Sequence, residues 1–358
     1  MIIGKKHYTS IWYDSKKDRV KIIDQTLLPH KFKIKELYNL NHFIRAIFCM
    51  EVRGAPLIGV TAAYGMYFAS KKAKNLTHLK KLGRFLTNTR PTAVNLKWAV
   101  DKIISSIDKN DFKNRKDLQL KVLSLANQIR IEDIENCYRI GSYGSDIIYK
   151  YSKKKNTEIN ILTHCNAGWL ATVDWGTALA PIYFFAKNKN KKINIWVDET
   201  RPRNQGANLT SFELTNEGIK NVIIADNTGG LLMMKKKIDL CIVGADRVTT
   251  DGSVINKIGT YLKALAAYEN KIPFFVALPY STIDFKSKLP STIEIEDRGD
   301  DEMKFIKGID SNGKMKRVRI YPKKSLTLNL GFDITPSKFI TGYITDKGFF
   351  NKISDFSK

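Results

Sequence analysis

Short apolar runs that alternate with helical stretches dominate the second half of the chain and restrict its fold more than any other feature. The runs are rich in branched and aromatic side chains and cover 159–163, 193–197, 222–225, 240–243 and 274–278. Segments with helical periodicity separate them, at 169–186, 208–217, 229–236 and 256–269. Strand and helix in regular alternation predict a parallel sheet with helices on both faces.

The first part of the chain has a different pattern. A weakly alternating stretch at 21–28 predicts a short β segment, and helices are predicted at 41–50, 57–70, 91–106 and 116–149. The change of pattern follows the charge run Lys153-Lys154-Lys155. The predicted fold class is therefore α/β, with a Rossmann-like parallel-sheet catalytic domain at 151–358. A smaller, mainly helical domain with a short β segment precedes it at 1–150. A hairpin is also predicted at 305–309 and 315–320.

Polar clusters follow the predicted strands at the point where each one ends. In chain order they are His164-Cys165-Asn166, Asp198 to Arg201 with Asn204-Gln205-Gly206 after it, Asp226-Asn227, and Gly244 to Arg247. Turn chemistry explains each cluster alone, because turns favour Asn, Asp and Gly. Ligands of open α/β sheets bind beyond the carboxyl ends of the strands, so the clusters together predict a functional site at this edge.

Several kinds of site have no support in the sequence. There is no glycine-rich dinucleotide motif, no phosphate-binding P-loop, and no spacing of histidines or cysteines typical of a metal site. We therefore predict neither a metal nor another cofactor. The four cysteines form no C-x-x-C pair, and two of them, Cys49 and Cys241, are predicted to lie in the core.

The formal net charge is +25, which raises the question of nucleic-acid binding. The lysines are scattered along the whole chain, however, and no RNA- or DNA-binding signature with interleaved aromatic residues occurs. We predict no nucleic-acid partner. No apolar run is long enough to span a membrane, and no signal-peptide pattern opens the chain, so the expected location is the cytoplasm.

Two strand ends carry side chains that can do chemistry. Cys165 precedes a predicted helix, whose dipole would favour the reactive thiolate; the alternative is an inert buried cysteine. Asp246 follows an apolar strand, where partial burial would raise its pKa and suit it to act as an acid. The alternative for Asp246 is an ion pair with Arg247 or a helix cap.

Two further segments suit an anion. Asn256 and Lys257 are predicted to open the helix at 256–269, where free backbone N–H groups and an ammonium would converge. The run Arg53-Gly54-Ala55-Pro56 suits an anion for the same reason, because it combines a guanidinium, an unobstructed backbone and the predicted start of a helix. A solvated helix start is the alternative for Lys257.

In several of these segments the chain resembles the S-methyl-5-thioribose-1-phosphate isomerases of L-methionine salvage, which belong to the initiation-factor-2B alpha/beta/delta-like superfamily. The resemblance covers nearly the whole chain. The matching stretches are RGAPLIGV at Arg53, RPTAVNL at Arg90, THCNAG at Thr163, DETRPRNQGA at Asp198, GADR at Gly244, NKIGTYLKALAA at Asn256 and FDITP at Phe332.

The resemblance implies conversion of an aldose 1-phosphate to a ketose 1-phosphate by a homodimer that uses no cofactor. It implies that Asp246 is the proton donor and that Cys165 is a base or a stabiliser of the transition state. The residues it implies as substrate contacts are Arg53, Gly54, Ala55, Arg90, Gln205, Asn256 and Lys257. Alternative readings are a 5-deoxyribose-1-phosphate (or related ribose phosphate) isomerase and a non-enzymatic regulatory subunit like those of the initiation-factor-2B complex. The regulatory subunits lack the Cys and Asp pair.

The chain departs from the pattern at two places near the sugar pocket. Trp169 stands where many members have a small residue, and Arg203-Asn204 stands where others have bulkier apolar residues. A water-excluding role for Trp169 and Trp175 is a hypothesis, and core packing is its alternative.

Overall fold

The computed structural model describes residues 1–90, 93–153, 158–188, 192–285, 287 and 293–357. Helices α1–α10 span Leu40–Phe48, Ala55–Ser70, Leu76–Thr87, Val94–Ser105, Arg115–Ser152, Ala180–Asn188, Ser211–Asn216, Thr228–Met234, Thr260–Glu269 and Asp300–Lys304. Strands β1–β18 span Ile2–Ile3, Lys6–His7, Ile11–Asp14, Arg19–Ile23, Ile34–Leu37, Ile159–Thr163, Ile193–Asp198, Asn221–Ile224, Leu240–Val243, Arg247–Thr249, Val254–Lys257, Phe274–Ala277, Ile283–Asp284, Phe305–Ile309, Met315–Arg319, Phe332–Thr335, Gly342–Thr345 and Gly348–Phe350.

The large sheet has the order β18-β17-β12-β9-β6-β7-β8. All neighbours in it pair in parallel except β17 and β18, which form an antiparallel edge that was not predicted. The five predicted strands are β6, β7, β8, β9 and β12, so the expected α/β fold with a parallel sheet is confirmed. The chain reverses its direction of progress across the sheet between β6 and β9, and crevices for ligands form at such switch points.

A second sheet has four strands in the order β13-β10-β11-β16. It shows that one of the predictions is wrong. Asn256 and Lys257 do not open a helix: they lie on β11 and pair with Asp333 and Phe332 of β16. The helix α9 begins only at Thr260, after Gly259 adopts a left-handed conformation with φ of 104°. The buried, branched residues at the start of β11 continue an antiparallel ladder with β10, and this pairing overrides the local helical pattern.

The predicted helix at 169–186 is also wrong in its first half. The chain makes a short 3-10 turn at Trp169–Ala171, and α6 begins at Ala180. Between them the backbone reverses through positive φ angles at Trp175 and Gly176. Cys165 therefore does not precede a helix N-terminus, and the argument from a helix dipole does not apply to it.

The N-terminal part contains more β structure than predicted. The predicted segment at 21–28 becomes β4, which is the middle strand of an antiparallel sheet with β3 and β5. The helices predicted at 41–50, 57–70 and 116–149 are α1, α2 and α5. The first residues of the helix predicted at 91–106, Pro91 and Thr92, lie outside the described residues, and α4 follows from Val94. The predicted hairpin is formed by β14 and β15.

The long helix α5 joins two hydrophobic cores. Leu118 and Val122 on its N-terminal half pack with α2 in the N-terminal core, whereas Ile140 and Ile148 pack against the large sheet. The division into domains near residue 150 stays a prediction, since one helix serves both cores. No helix among the described residues is both long and apolar enough to cross a bilayer.

Candidate active site

Cys165 lies two residues after the end of β6, at the carboxyl edge of the large sheet. Its backbone has a φ of 64°, and its N–H donates to Thr200 Oγ1 at 2.9 Å across the end of the neighbouring strand β7. A positive φ is uncommon for a residue with a side chain, so the surrounding contacts must hold this conformation. The residue is buried but keeps 8% of its surface exposed.

The N-terminus of α2 brings Arg53 to this thiol. The guanidinium donates to Asn166 Oδ1 at 2.5 Å and to the Asn166 carbonyl at 2.8 Å, and its Nη2 lies 3.9 Å from Cys165 Sγ. Gly54 has a φ of 88°, and a Cβ there would lie 2.3 Å from the carbonyl oxygen of Ala171. Only glycine permits this approach, which seats Ala55 and the start of α2 against the segment after Cys165.

Asp246 lies after β9, the strand next to β6 in the sheet. Burial raises the pKa of Asp246, against Lys257, Arg90 and Arg53, whose charges favour the carboxylate. A raised pKa suits a proton donor. The proposed ion pair with Arg247 does not form, because Arg247 Nη1 instead lies 3.4 Å from Asp284 Oδ2.

Lys257 lies within electrostatic range of both catalytic candidates. Its ammonium is buried and donates to the Gly331 carbonyl at 2.6 Å, above the ring of Phe332. Burial lowers the pKa of Lys257, whereas Cys165 and Asp246 raise it. The side chain of Asn256 is buried too and donates from Nδ2 to Thr260 Oγ1 at 3.0 Å.

Arg90 reaches the same region from the loop before α4. Its Nη2 lies 3.3 Å from Glu296 Oε2, and Arg298 bonds both Glu296 and Glu302. Glu302 in turn pairs with Arg203 at 2.8 Å. This ladder of alternating charges connects Arg90 of the N-terminal part with Arg203 beside the large sheet. Sequence reasoning did not find it, because its acidic members lie far along the chain.

Two hollows adjoin these residues. One of about 200 Å³ is bordered by Arg53, Gln205 and Asn204 on its polar side, and Gln205 Oε1 is buried without a hydrogen-bond partner. Its remaining lining mixes charged and polar side chains with apolar ones, which include Leu27, Leu28, Met50, Leu209, Phe305 and Met315. A smaller hollow of about 30 Å³ is bordered by Ala55, Arg90 and Asp246.

One group of side chains among the described residues has the composition of a metal site: His164, Asp198 and Asp226. His164 Nδ1 lies 2.8 Å from Asp198 Oδ2, and the ammonium of Lys263 lies 3.2 Å from the same oxygen. The two oxygens of Asp226 accept backbone N–H groups at Thr200 and Arg201. An ammonium already neutralises the centre of the group, so these residues fit a structural role under the loop that carries Thr200.

The structure tests the predicted burial of two cysteines. Cys241 is in the core as predicted, but Cys49 is exposed at the end of α1 and that prediction is wrong.

Trp169 is fully buried in the core of the large sheet, so packing accounts for its side chain. Glu213 was missed altogether: it is fully buried and bonds Asn166, and nothing in its sequence context indicates burial.

Comparison with known proteins identifies related chains. A model of the Initiation factor 2 subunit family matches residues 51–352. A methylthioribose-1-phosphate isomerase of Escherichia coli O45:K1 (strain S88 / ExPEC) is 47% identical over 350 residues, which cover 97% of this chain and 93% of that protein.

Two solved structures also match nearly the whole chain. The 5-methylthioribose 1-phosphate isomerase of Pyrococcus horikoshii OT3 has a TM-score of 0.81 at 36% identity, covering 96% of this chain and 92% of that one. The translation initiation factor eIF-2B, subunit delta, of A. fulgidus has a TM-score of 0.78 at 35% identity, covering 96% of each chain. Identity of this extent over almost the full length shows that the chain belongs to the initiation factor 2 subunit family and, within it, to the methylthioribose-1-phosphate isomerases.

Proposed function

We propose that this aldose–ketose isomerase converts S-methyl-5-thio-D-ribose 1-phosphate to S-methyl-5-thio-D-ribulose 1-phosphate, a step of L-methionine salvage, with Asp246 and Cys165 as its catalytic residues. The observation that carries the proposal is the meeting of a thiol and a carboxyl group at the ends of neighbouring strands, β6 and β9, with three cations around them. The homologues supply the reaction class, and the side chains supply a mechanism.

The substrate poses a specific chemical problem. Its anomeric oxygen carries the phosphate, so the ring cannot open to a free aldehyde. Opening requires a proton on the ring oxygen, which becomes the 4-hydroxyl group, and it leaves an oxocarbenium-like C1 that keeps its phosphate. One hydrogen must then move from C2 to C1 while the 2-hydroxyl group loses its proton to become the ketone. The conversion is balanced without any external oxidant or reductant.

Asp246 supplies the proton to the ring oxygen in this proposal. Its raised pKa keeps more of the acid form than an exposed aspartate would hold at the same pH. Once the ring has opened, the resulting carboxylate is stabilised by the charges of Lys257, Arg90 and Arg53. The same carboxylate can then accept the proton of the 2-hydroxyl group, which returns Asp246 to its starting form.

Cys165 acts at C1 and C2, and two routes for the hydrogen remain open. In the first, the Cys165 thiolate removes the C2 proton, and the enediol-type intermediate takes a proton at C1. In the second, the hydrogen moves from C2 to C1 as an internal hydride, and Cys165 stabilises the transition state. Positioned acid–base groups are typically worth ~10²–10⁴ in rate.

The cations hold the 1-phosphate. Arg53 and the N–H groups in the first turn of α2, including that of Ala55, would donate hydrogen bonds to the phosphate. Lys257 would contribute a buried ammonium. Gly54, Arg90, Gln205 and Asn256 complete the proposed substrate contacts. In this proposal the apolar side chains among the lining of the 200 Å³ hollow, such as Met50, Leu209 and Phe305, contact the methylthio group at C5.

An assay of the purified chain tests the proposal. We expect NMR to show the ketose 1-phosphate forming from methylthioribose 1-phosphate faster than from 5-deoxyribose 1-phosphate or ribose 1,5-bisphosphate. A preference for 5-deoxyribose 1-phosphate would transfer the assignment to that substrate. No turnover of any of the three would favour the non-enzymatic regulatory role.

The same assay run in D₂O separates the two routes. Proton transfer through Cys165 exchanges with solvent and places deuterium on C1 of the ketose product. An internal hydride shift leaves that position without solvent deuterium.

A homodimer in the cytoplasm completes the proposal. The edge strand β8 and the helices α8 and α9 carry several exposed apolar side chains, and the two helices pack against each other. These side chains are Val222, Ile223, Leu231, Met234, Leu262, Leu265 and Tyr268. Together these side chains form the β8–α9 face. Large exposed apolar patches are rare on monomers and typical of interfaces, and for this reason we propose these side chains as the dimer contact. A second copy of the chain is the proposed occupant.

A further inference from the structure

Glu213 on α7 is a buried carboxylate that the mechanism above does not use. It accepts four hydrogen bonds. Oε1 accepts from Asn166 Nδ2 at 2.7 Å and from the Leu170 N–H at 3.2 Å, and Oε2 accepts from the Trp169 N–H at 2.8 Å and the Tyr183 hydroxyl at 2.7 Å. None of the salt bridges between described residues includes Glu213. Four donors aimed at two oxygens identify the carboxylate as the partner for which this pocket is built.

The pocket around this carboxylate has no spare room. A Cβ on Gly168 would lie 1.8 Å from Glu213 Oε2, so the backbone after Cys165 folds directly against the carboxylate. Burial raises the pKa of Glu213 to about 7, and the four hydrogen bonds oppose that rise. A buried ionisable group is costly to keep, and its hydrogen bonds must therefore do something that an apolar side chain could not.

The bond to Asn166 fixes which way that amide points. The NH₂ group of Asn166 donates to Glu213 and, at 3.2 Å, to Thr210 Oγ1. A flipped amide would set its carbonyl oxygen against the Glu213 carboxylate, which is repulsive. The carbonyl Oδ1 must therefore face the other way, toward Arg53.

Asn166 in turn fixes the guanidinium. Arg53 donates to both oxygens of Asn166, one on the side chain and one on the backbone, and this pair of bonds sets the plane of the guanidinium. Its free edge then faces Cys165 Sγ, 3.9 Å away, and the hollow shared with Gln205. The contacts thus run from Glu213 through Asn166 and Arg53 to the thiol.

We propose that Glu213 is a positioning residue for the isomerase: its buried carboxylate orients the Asn166 amide, which holds Arg53 against Cys165 and the substrate phosphate. The inference rests on the proposed function, since it takes Arg53 and Cys165 as parts of the site. Glu213 itself touches no reacting atom. Its effect on catalysis is transmitted through two hydrogen-bonded side chains.

Two substitutions that exchange the carboxylate of Glu213 and the amide of Asn166 test the hydrogen bond between these residues at pH 8. Glu213→Gln turns one acceptor into a donor, so its NH₂ opposes either the Asn166 amide or the Trp169 N–H. Asn166→Asp sets a second carboxylate against Glu213. Either variant alone should lose at least about tenfold in kcat/KM, since a mismatched buried group typically costs 1–3 kcal/mol.

The double variant Glu213→Gln with Asn166→Asp should recover to within about tenfold of the wild-type kcat/KM. The NH₂ of the new glutamine donates to the new aspartate, whose other oxygen accepts from Arg53. The carbonyl oxygen of the glutamine still accepts from the Trp169 N–H and the Tyr183 hydroxyl. The double variant loses the two longer bonds, from the Leu170 N–H and to Thr210 Oγ1, so we do not expect full recovery. If the single glutamine variant fails to fold, recovery of folding and activity in the double variant is the same rescue. A double variant that recovers neither would overturn the proposal.

A second readout separates this inference from the proposed reaction. Peptide mass spectrometry follows alkylation of Cys165 by iodoacetamide, which needs no sugar phosphate. The guanidinium of Arg53 lies 3.9 Å from Cys165 Sγ, so its displacement in Glu213→Gln should change the rate of Cys165 alkylation several-fold, and the double variant should restore the wild-type rate. Alkylation of the exposed Cys49 in the same samples is the internal control. Unchanged alkylation of Cys165 in folded Glu213→Gln would contradict the positioning role even if the isomerase activity proved absent.

Tyr183→Phe provides the matched structural control. It removes a hydrogen bond of the same length to the same carboxylate, but on the side away from Asn166. We expect a lower melting temperature, with kcat/KM and Cys165 alkylation close to wild type. A loss of activity in this variant as large as in Glu213→Gln would mean that the carboxylate acts on stability alone.

Discussion

At the scale of single residues, the proposed chemistry depends on side chains whose surroundings differ from those of ordinary surface groups. Cys165 has a left-handed backbone held by Thr200, and its thiol faces the guanidinium of Arg53. Asp246 is partly buried and surrounded by cations, so burial favours its acid form while the cations favour its carboxylate. Such opposed influences on one carboxyl group are typical of a group that must both give and receive a proton.

Replacement of the thiol should stop turnover without unfolding the chain. We expect Cys165→Ser to retain less than about 1% of the wild-type kcat, because one positioned acid–base group is worth ~10² or more. Binding of the ketose 1-phosphate, measured by calorimetry, should change little. Cys49→Ser is the control, because Cys49 is exposed at the end of α1. Retention of more than about a tenth of kcat by Cys165→Ser would remove the thiol from the mechanism.

Replacement of the carboxyl group should also stop turnover, because the amide of Asp246→Asn keeps the shape but delivers no proton. The raised pKa of Asp246 gives the pH dependence of the wild type its sign: the acid form is present at low pH and is lost as the pH rises through that pKa. The wild-type kcat/KM should therefore have a limb that falls with rising pH. Activity per folded molecule that survives in Asp246→Asn, judged by kinetics with thermal melting, would assign the residue a structural role.

At the scale of elements, the strand β11 has replaced a predicted helix start, and this changes how Lys257 works. A lysine in the first turn of a helix would be solvated, whereas on β11 the ammonium is buried and bonded to the Gly331 carbonyl. Buried charges are screened by salt much less than exposed ones. We therefore expect Lys257 to bind phosphate through short-range hydrogen bonds, with little dependence on salt.

Lys257→Met tests this role, since it removes the ammonium but keeps an apolar stem over the ring of Phe332. We expect affinity for substrate and for product to fall by about tenfold or more, because hydrogen bonds to charged groups are worth about 1.5–3 kcal/mol. The loss should be similar at low and moderate salt. Calorimetric titration with the ketose 1-phosphate is the measurement, and Lys236→Met in the exposed turn after α8 is the control. Equal affinity of Lys257→Met and wild type would exclude Lys257 as a phosphate anchor.

The helix α5 carries a buried carboxyl group that makes stability depend on pH. Burial raises the pKa of Asp133 to about 7, Asp174 adds to the rise, and the Val173 N–H and Arg130 oppose it. In the unfolded chain an aspartate has a pKa of about 3.9. Between these values the folded state holds the proton and the unfolded state does not, so the free energy of unfolding falls as the pH rises from about 4 to about 7.

Asp133→Asn should remove this contribution, because its amide oxygen still accepts from the Val173 N–H and carries no proton equilibrium. Between pH 5 and pH 7 the free energy of unfolding of the wild type should fall by about 2–3 kcal/mol more than that of Asp133→Asn. Urea unfolding at both pH values gives the comparison. Asp101→Asn on the exposed face of α4 should leave the pH dependence as in wild type. The same slope in Asp133→Asn and wild type would refute the assignment.

At the scale of the whole molecule, the site is assembled from both parts of the chain. Arg53 of the N-terminal part bonds Asn166 beside the large sheet, and the ladder from Arg90 to Arg203 makes a second connection. The helix α5 packs into both hydrophobic cores. The proposed phosphate site therefore lies where contacts within the fold already hold the two parts together.

The proposed homodimer makes a prediction at this scale. Leu262→Glu places a charge in the β8–α9 face, so we expect it to convert a dimer into a monomer in sedimentation velocity. Leu120→Glu, an equally exposed leucine on α5, should remain dimeric. A wild-type monomer at micromolar concentration, or dissociation by both variants alike, would contradict this interface.

The local pattern of the sequence determined the elements that depend on short-range physics. The five parallel strands follow from runs of branched residues, and the interruption between α1 and α2 follows from Gly54 and Pro56. The strand ends with Cys165 and Asp246 follow from the same pattern, since parallel strands bring their carboxyl ends to one edge. The resemblance of motifs then implied a reaction for these two side chains.

The tertiary structure decided everything that depends on pairing between distant segments. Asn256 and Lys257 have a helical pattern nearby, but they pair with β16, which lies more than seventy residues away, and the buried ladder outweighs local propensity. The turn at Trp175 and Gly176 likewise overrides the helix predicted after Cys165. Glu213 lies in an ordinary helical stretch, and only the closure of the chain at Gly168 buries its carboxylate next to Asn166. Burial and hydrogen-bond partners are properties of the assembled fold, so a single sequence determines where these residues lie along the chain but not what surrounds them.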